Sequence, residues 1–239
     1  MQSIPSTDPL AVAVTDAIHS GDVATLQRLL ADQPELATAR ILGARCNGGG
    51  MRSLLHVATD WPGNFPRGAE TVATLVSAGA DVNSRFGGAH TETPLHWAAS
   101  SDDVAVLDKL LDLGANIEAD GAVIAGGTPI ADAVAFGQWK TARRLIERGA
   151  KTNLWQAAAL GLMDRVTNYF DGPNRPPAEE VTKAFWLACH GGQREAAEYL
   201  LDRGADINWI GYDGLTPLGA ARRSEATDVV EWLESHGAK

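Results

Sequence analysis

The chain has 239 residues, of which 45% are hydrophobic, so it is long enough to bury a large core. Its formal net charge of −10 disfavours binding to a nucleic-acid backbone, which requires clustered Lys and Arg. It has no run of 18 apolar residues that would predict a membrane span, and its first residues lack the pattern of a secretory signal. We therefore expect a soluble, cytoplasmic protein that binds neither nucleic acid nor membrane.

Starts and stops of helices recur along the chain. The first predicted helix starts at Asp8-Pro9, because Asp is a good N-cap and Pro fits the first helical turn. Thr-Pro pairs give the same signal at Thr93, Thr128 and Thr216. Gly-Ala pairs follow apolar stretches at helical spacing, where glycine can end a helix in the left-handed conformation. These pairs start at Gly79, Gly114, Gly149, Gly204 and Gly237.

Seven units result, each with two predicted helices. An extended segment, which we call a finger, follows most of them, but none separates the fourth unit from the fifth, because Leu154 follows Asn153 directly into the next helix. The spacing of 33 to 35 residues between most Gly-Ala pairs indicates a repeat protein, in which each unit buries its apolar face against its neighbours. We treat the units as one domain over residues 1–239. They span residues 8–42, 52–85, 93–119, 128–153, 154–172, 178–209 and 216–239.

The third unit contains the phrase Thr93-Pro94-Leu95-His96-Trp97-Ala98-Ala99, followed by Gly114-Ala115. This phrase resembles the ankyrin repeat, and worn copies of it cover nearly the whole chain. The resemblance implies an all-α fold, an ankyrin-repeat solenoid of stacked helix–turn–helix units with extended fingers, in an irregular array of the bacterial type. It also implies that His56 and His96 bond the backbone of neighbouring fingers. Trp155 and Trp186 are expected to occupy the same slot.

The chain departs from a regular array in one insertion and in its long fingers. Residues 61–68, between the helices of the second unit, hold two prolines and two glycines, which exclude a helix. Long fingers are predicted at residues 43–51, 84–92 and 120–127. Such a finger either stands over the groove as a lid or folds back onto its neighbour, and the sequence leaves both alternatives open. The two cysteines form no motif, and Cys189 is expected to be a small buried residue.

The leading hypothesis is a non-enzymatic module that binds a protein partner, since the resemblance implies a concave groove lined by first helices and fingers. Aromatic residues in this lining are typical of interface anchors. We expect a monomer that needs no cofactor and no metal. The predicted binding residues are Trp61, Trp97, Phe136, Trp209, Tyr212, Arg85, Phe86, His90, Glu92 and Gln156.

The alternative is a small-molecule-binding protein, or an enzyme that performs acid–base chemistry on an apolar substrate in an aromatic pocket. A carboxylate beside indole rings can have a raised pKa and carry a proton. On this hypothesis the proton carriers are Asp132, Asp60 and His190. The strong sequence patterns of metal, phosphate or nucleophile sites are absent.

Overall fold

The computed structural model describes residues 3–43 and 50–239, and these residues hold fourteen α-helices in seven consecutive pairs. The predicted all-α ankyrin-type fold is confirmed. Up to residue 150 the helices are α1 Pro9–Ser20, α2 Val23–Asp32, α3 Leu54–Ala58, α4 Gly68–Ser77, α5 Pro94–Ser100, α6 Val104–Asp112, α7 Pro129–Ala135 and α8 Trp139–Glu147. The remaining helices are α9 Leu154–Ala159, α10 Met163–Asn168, α11 Ala178–His190, α12 Arg194–Leu201, α13 Pro217–Arg223 and α14 Thr227–Ser235. We number the repeats 1 to 7 by these pairs.

The predicted caps explain where most of these helices begin and end. Asp8 accepts a hydrogen bond from the amide of Leu10, and Thr216 accepts one from the amide of Gly219. Thr128 makes no such side-chain bond, so the expectation of a hydroxyl cap was wrong there. Four glycines close second helices with φ between 91° and 104°, a region that a side chain disfavours. They are Gly79, Gly114, Gly149 and Gly204.

The chain forms two compact bodies, one up to Ala150 and the other from Lys151 onward. In the N-terminal body, first helices pack on first helices, as α5 does on α7, and second helices pack on second helices, as α4 does on α6. In the C-terminal body α11 lies between α9 and α13. The prediction that residues 1–239 form one domain stays a prediction. Among the described residues, no helix is both long and apolar enough to cross a bilayer.

A small sheet in the N-terminal body was not predicted from the sequence. Strand β1 (Ser3–Pro5) pairs in parallel with β2 (Arg40–Leu42), which pairs antiparallel with β3 (Met51–Ser53). Ile4 and Ile41 lie opposite each other and are both buried, so the sheet closes the first repeat. The middle of the predicted finger 43–51, including Cys46, lies outside the described residues. Cys189 is buried in its helix as expected, with a free thiol.

The insertion in repeat 2 ends one residue earlier than predicted, because Gly68 is the first residue of α4. We call residues 60–67 the insertion loop. The amide of Asn64 donates to the Asp103 carboxylate over 2.8 Å, and the Phe65 ring stacks on His19 with centroids 4.3 Å apart. The loop therefore contacts repeat 1 at one side and repeat 3 at the other.

Candidate functional site

The histidines of the repeat motif tie first helices to fingers, as the resemblance implied. His56 Nε2 lies 3.1 Å from the carbonyl oxygen of Glu92, and His96 Nε2 lies 3.3 Å from that of Gly127. Burial lowers the pKa of His56 to about 3, so the ring is neutral at pH 7. In repeat 6 the indole N–H of Trp186 donates to the carbonyl of Leu215 over 2.8 Å, and thus makes the same connection.

In repeat 5 the slot was assigned one residue too early. Gln156, rather than Trp155, lies three residues after the N-cap Asn153, and its side chain accepts from the Asn153 amide over 2.9 Å. Gln156 is only 5% exposed. Its placement in the exposed lining was wrong, because the amide is used to cap α9.

Finger 2 (residues 84–92) folds back onto the first helices, the second of the two alternatives. Phe86 is buried and stacks on His90 with centroids 4.5 Å apart at 17°. The Glu92 carboxylate is 4% exposed, and its Oε2 accepts from the indole N–H of Trp97 over 2.7 Å. We call Phe86, His90, Glu92, Trp97 and Asp132 the N-terminal finger cluster. Phe86 and Glu92 therefore support the finger from inside, and the expectation that they face a partner was wrong.

Asp132 has the raised pKa that the alternative hypothesis required, but it is not accessible. Its side chain is 0% exposed, and Oδ1 accepts from the amide of Ile124 over 3.4 Å. Burial, and then the hydrogen bond and charge of Glu92, raise the pKa of Asp132 to about 9. A substrate has no direct access to this carboxyl group in the described structure.

The other two predicted proton carriers have separate partners. Asp60 forms an ion pair with Arg52 in repeat 2. His190 lies in the C-terminal body, where it is buried with Nδ1 3.0 Å from Ser224 Oγ. Asp60 and Asp132 thus have different partners within the N-terminal body, and the geometry gives no support to an acid–base site built from the predicted proton carriers.

Aromatic residues form a second group in the C-terminal body. Tyr212 packs edge-on against Trp186 at 5.2 Å and against Trp209 at 5.9 Å between centroids. Arg223 lies 6.0 Å from the Trp186 ring centroid and forms an ion pair with Asp213. We call Trp186, His190, Trp209, Tyr212 and Arg223 the C-terminal finger cluster. It brings together Trp209 and Tyr212, two of the predicted binding residues.

The remaining predicted binding residues are exposed or half-exposed. Trp61 is 81% exposed at the start of the insertion loop, and Phe136 is 50% exposed at the end of α7. Arg85 joins fingers 2 and 3 through an ion pair with Asp120, with Nη2 and Oδ1 2.7 Å apart. Finger 3 comprises residues 120–127.

Six further exposed apolar residues were not predicted from the sequence, and four of them lie in or beside fingers. Met51 lies in the first finger and Leu42 in strand β2 just before it, Val123 lies in finger 3, and Ile210 lies in the finger of repeat 6. Apolar residues between glycines and charged residues of a finger are the sequence signal that identifies them. These four residues add exposed apolar area at the fingers of both bodies.

Tandem helix pairs, joined by fingers that are bonded to the first helices, define a helical repeat protein. A family model described as ankyrin repeats (3 copies) matches residues 55–156 and 154–239. The chain belongs to the ankyrin repeat family. The number of seven repeats and the bacterial type of the array stay predictions.

Two known proteins are similar to the chain. An ankyrin repeat and KH domain-containing protein of Caenorhabditis briggsae is 30% identical over 185 residues, which cover 74% of this chain and 7% of that relative. The crystal structure of the human ASB11 ankyrin repeat domain is 21% identical, with a TM-score of 0.52 over 95% of this chain and 97% of that chain. The second likeness shows the fold alone. Ankyrin repeats are generally protein–protein interaction modules, and this chain has their fold.

Proposed function

We propose that the chain is a non-enzymatic binding module that recognises a protein partner through its fingers and the turns that follow its first helices. The observation that carries the proposal is the position of the exposed apolar side chains. Of nine large exposed apolar residues in the described chain, six lie on fingers or on those turns, and a seventh, Leu42, directly precedes the first finger. Exposed apolar residues concentrated on one type of element are typical of interaction surfaces.

The outer second helices of repeats 3 and 4 have the opposite character. Arg144 and Arg148 of this region both pair with Asp108, and Arg148 also pairs with Asp112. Such a network of partly exposed charges is a solvated surface with little apolar area. The contrast between this charged surface and the apolar residues of the fingers supports a partner that binds the fingers.

Trp61 is the strongest single anchor in this proposal. The insertion loop is held by Asn64 on Asp103 and by Phe65 on His19, whereas the indole of Trp61 projects into solvent. An aromatic ring presented on a fixed loop loses little conformational entropy on binding. Phe136 occupies the corresponding turn of repeat 4, and we propose it as the second anchor.

The test is affinity capture from cell extract, followed by binding measurements with the purified captured protein. The double variant Trp61→Ala/Phe136→Ala is compared with wild type and with Tyr169→Ala, which removes an exposed aromatic ring from the end of a second helix. We expect Tyr169→Ala to bind as wild type. The double variant should weaken binding by at least about 2 kcal/mol, roughly a 30-fold rise in Kd. Equal affinity of all three proteins would refute the proposed surface.

We further propose that the module acts as a monomer in the cytoplasm. The negative net charge and the burial of the Cys189 thiol are consistent with a soluble protein in a reducing compartment. Size-exclusion chromatography with light scattering measures the oligomeric state, and a dimer mass at micromolar concentration would contradict it.

A further inference from the structure

Two buried carboxyl groups bind finger 3 by accepting hydrogen bonds from two consecutive backbone amides. Glu92, at the end of finger 2, accepts from the amide of Val123 through Oε1 over 3.3 Å. Asp132, in α7, accepts from the amide of Ile124 through Oδ1 over 3.4 Å. These contacts connect finger 3 with the first-helix region of repeats 3 and 4, independently of any partner.

The hydrogen-bond pattern assigns a proton to one of the two groups. Glu92 Oε2 accepts from the Trp97 indole and Oε1 accepts from the Val123 amide, an environment of donors that suits a carboxylate. Asp132 Oδ2 is buried, and the described residues supply no donor to it. A proton on Asp132 removes this deficit, because it can be donated to the neighbouring Glu92. The pair therefore carries one proton and one negative charge.

The surrounding ionisable groups leave Asp132 as the group that needs this proton. His56 of α3 and His96 of α5 both have a pKa lowered by burial, so neither ring supplies a positive charge at neutral pH. Arg52 pairs with Asp60, and Arg85 pairs with Asp120. The charged or titratable groups that lie near Glu92 or act on the two histidines beside it are Arg40, Arg52, His56, Arg85, His90, His96 and Asp120.

Loss of the proton from Asp132 places a second negative charge beside the Glu92 carboxylate. Burial and the adjacent Glu92 raise the pKa of Asp132 to about 9, so the group ionises only under alkaline conditions. Two negative charges side by side in a buried site repel each other and require water. Because α7 belongs to the core, whereas finger 3 is connected mainly by hydrogen bonds, the finger is the element that yields.

We propose that the Asp132–Glu92 pair is a proton-dependent latch: with its single proton it keeps finger 3 closed on repeats 3 and 4, and without it residues 120–127 are released. This inference does not depend on the proposed function. It assigns to finger 3 an open state that exposes Glu92, Trp97 and Asp132, which are otherwise covered or only half-exposed.

Amide hydrogen exchange of the full chain tests the latch. Peptides covering residues 120–127 are followed by millisecond quenched-flow labelling and mass spectrometry from about pH 7 to about pH 10.5, with rates corrected for intrinsic exchange. For wild type, the protection of this segment should fall about tenfold per pH unit as the pH rises towards the pKa of Asp132, near 9, and should level off above it.

Two variants sharpen the experiment. Asp132→Asn keeps a donor to Glu92 but does not titrate, so its protection should be independent of pH after correction. Asp120→Asn removes an exposed carboxylate and its ion pair with Arg85 from the same finger, and its protection should keep the pH dependence of wild type. The same pH profile in wild type and Asp132→Asn would overturn the latch.

A direct measurement covers the case in which Asp132→Asn does not fold. The carboxyl carbon resonance of Asp132, assigned in the wild-type chain by NMR, reports its protonation. It should have the protonated shift at about pH 7 and move with a midpoint near 9. An ionised Asp132 at neutral pH, in a folded chain with finger 3 protected, would exclude the latch.

Discussion

The N-terminal and C-terminal finger clusters join fingers to first helices by different chemistry. In the first, finger and helices are joined through buried carboxyl groups, with Glu92 accepting from Trp97. In the second, the connection runs from the indole of Trp186 to a backbone carbonyl, and the charged pair Arg223–Asp213 is exposed. The comparison teaches that the acceptor of a finger contact, a buried carboxylate or a backbone carbonyl, decides whether the contact is coupled to protons. Only the N-terminal cluster should make stability depend on the titration of a buried carboxyl group.

The largest expected effect is at Trp186, which is almost fully buried and also supplies the indole bond to Leu215. Trp186→Ala should lower the free energy of unfolding by about 3–5 kcal/mol, because it leaves a cavity and an unpaired carbonyl. Guanidinium unfolding followed by circular dichroism measures this. Tyr212→Ala is the control from the same cluster, with a half-exposed ring, and a loss as large as that of Trp186→Ala would show that burial does not set the difference.

Asp132→Asn should stabilise the protein at pH 7, by about 1–3 kcal/mol. The folded-state pKa of Asp132 lies near 9 and its unfolded value near 3.8, so the folded chain binds one more proton between these values. Stability from this group is complete below about pH 4 and is lost as the pH rises towards 9. Urea unfolding at several pH values should show this slope in wild type and its removal in the variant. A steeper slope in Asp132→Asn would contradict the assignment of the proton.

His56→Ala should cost about 1–3 kcal/mol at pH 7, because it leaves the Glu92 carbonyl without its buried partner. The pH dependence has the opposite sign to that of Asp132. The folded pKa is about 3 and the unfolded value 6.5, so wild type loses stability as the pH falls from 6.5 towards 3. Denaturation at about pH 7 and about pH 5 should show a smaller acid loss in His56→Ala; an equal loss would place the acid sensitivity elsewhere.

The smallest effect is expected from the exposed ion pairs, one at each cluster. Arg85→Ala and Arg223→Ala should each change the free energy of unfolding by less than about 1 kcal/mol, since solvent screens such pairs. The difference from wild type should shrink further in about 0.5 M salt. Thermal unfolding at two salt concentrations measures both changes. If Arg85→Ala alone loses stability, and loses the same amount at both salt concentrations, the hydrogen bonds of Arg85 to finger 3, and not its charge, contribute the stability.

Local signals accounted for most of the fold. Thr-Pro starts, Gly-Ala stops and the histidine slot are read within a few residues, and the structure places the helices accordingly. The error at Gln156 arose because repeat 5 lacks Thr-Pro, although Asn153 was a readable cap. The burial of Phe86, Glu92 and Asp132 depends on which way a finger folds. That is decided by contacts between residues distant in the sequence, so loop length alone did not determine it.

The contacts of the insertion loop affect how the first repeats unfold. In a simple repeat array each module contacts its immediate neighbours, so terminal modules fray independently. Here Phe65 meets repeat 1 and Asn64 meets repeat 3, while both belong to repeat 2. The insertion loop thereby adds contacts to both interfaces of repeat 2, and the first three modules should unfold as one cooperative block that resists stepwise unfolding from the amino-terminal end.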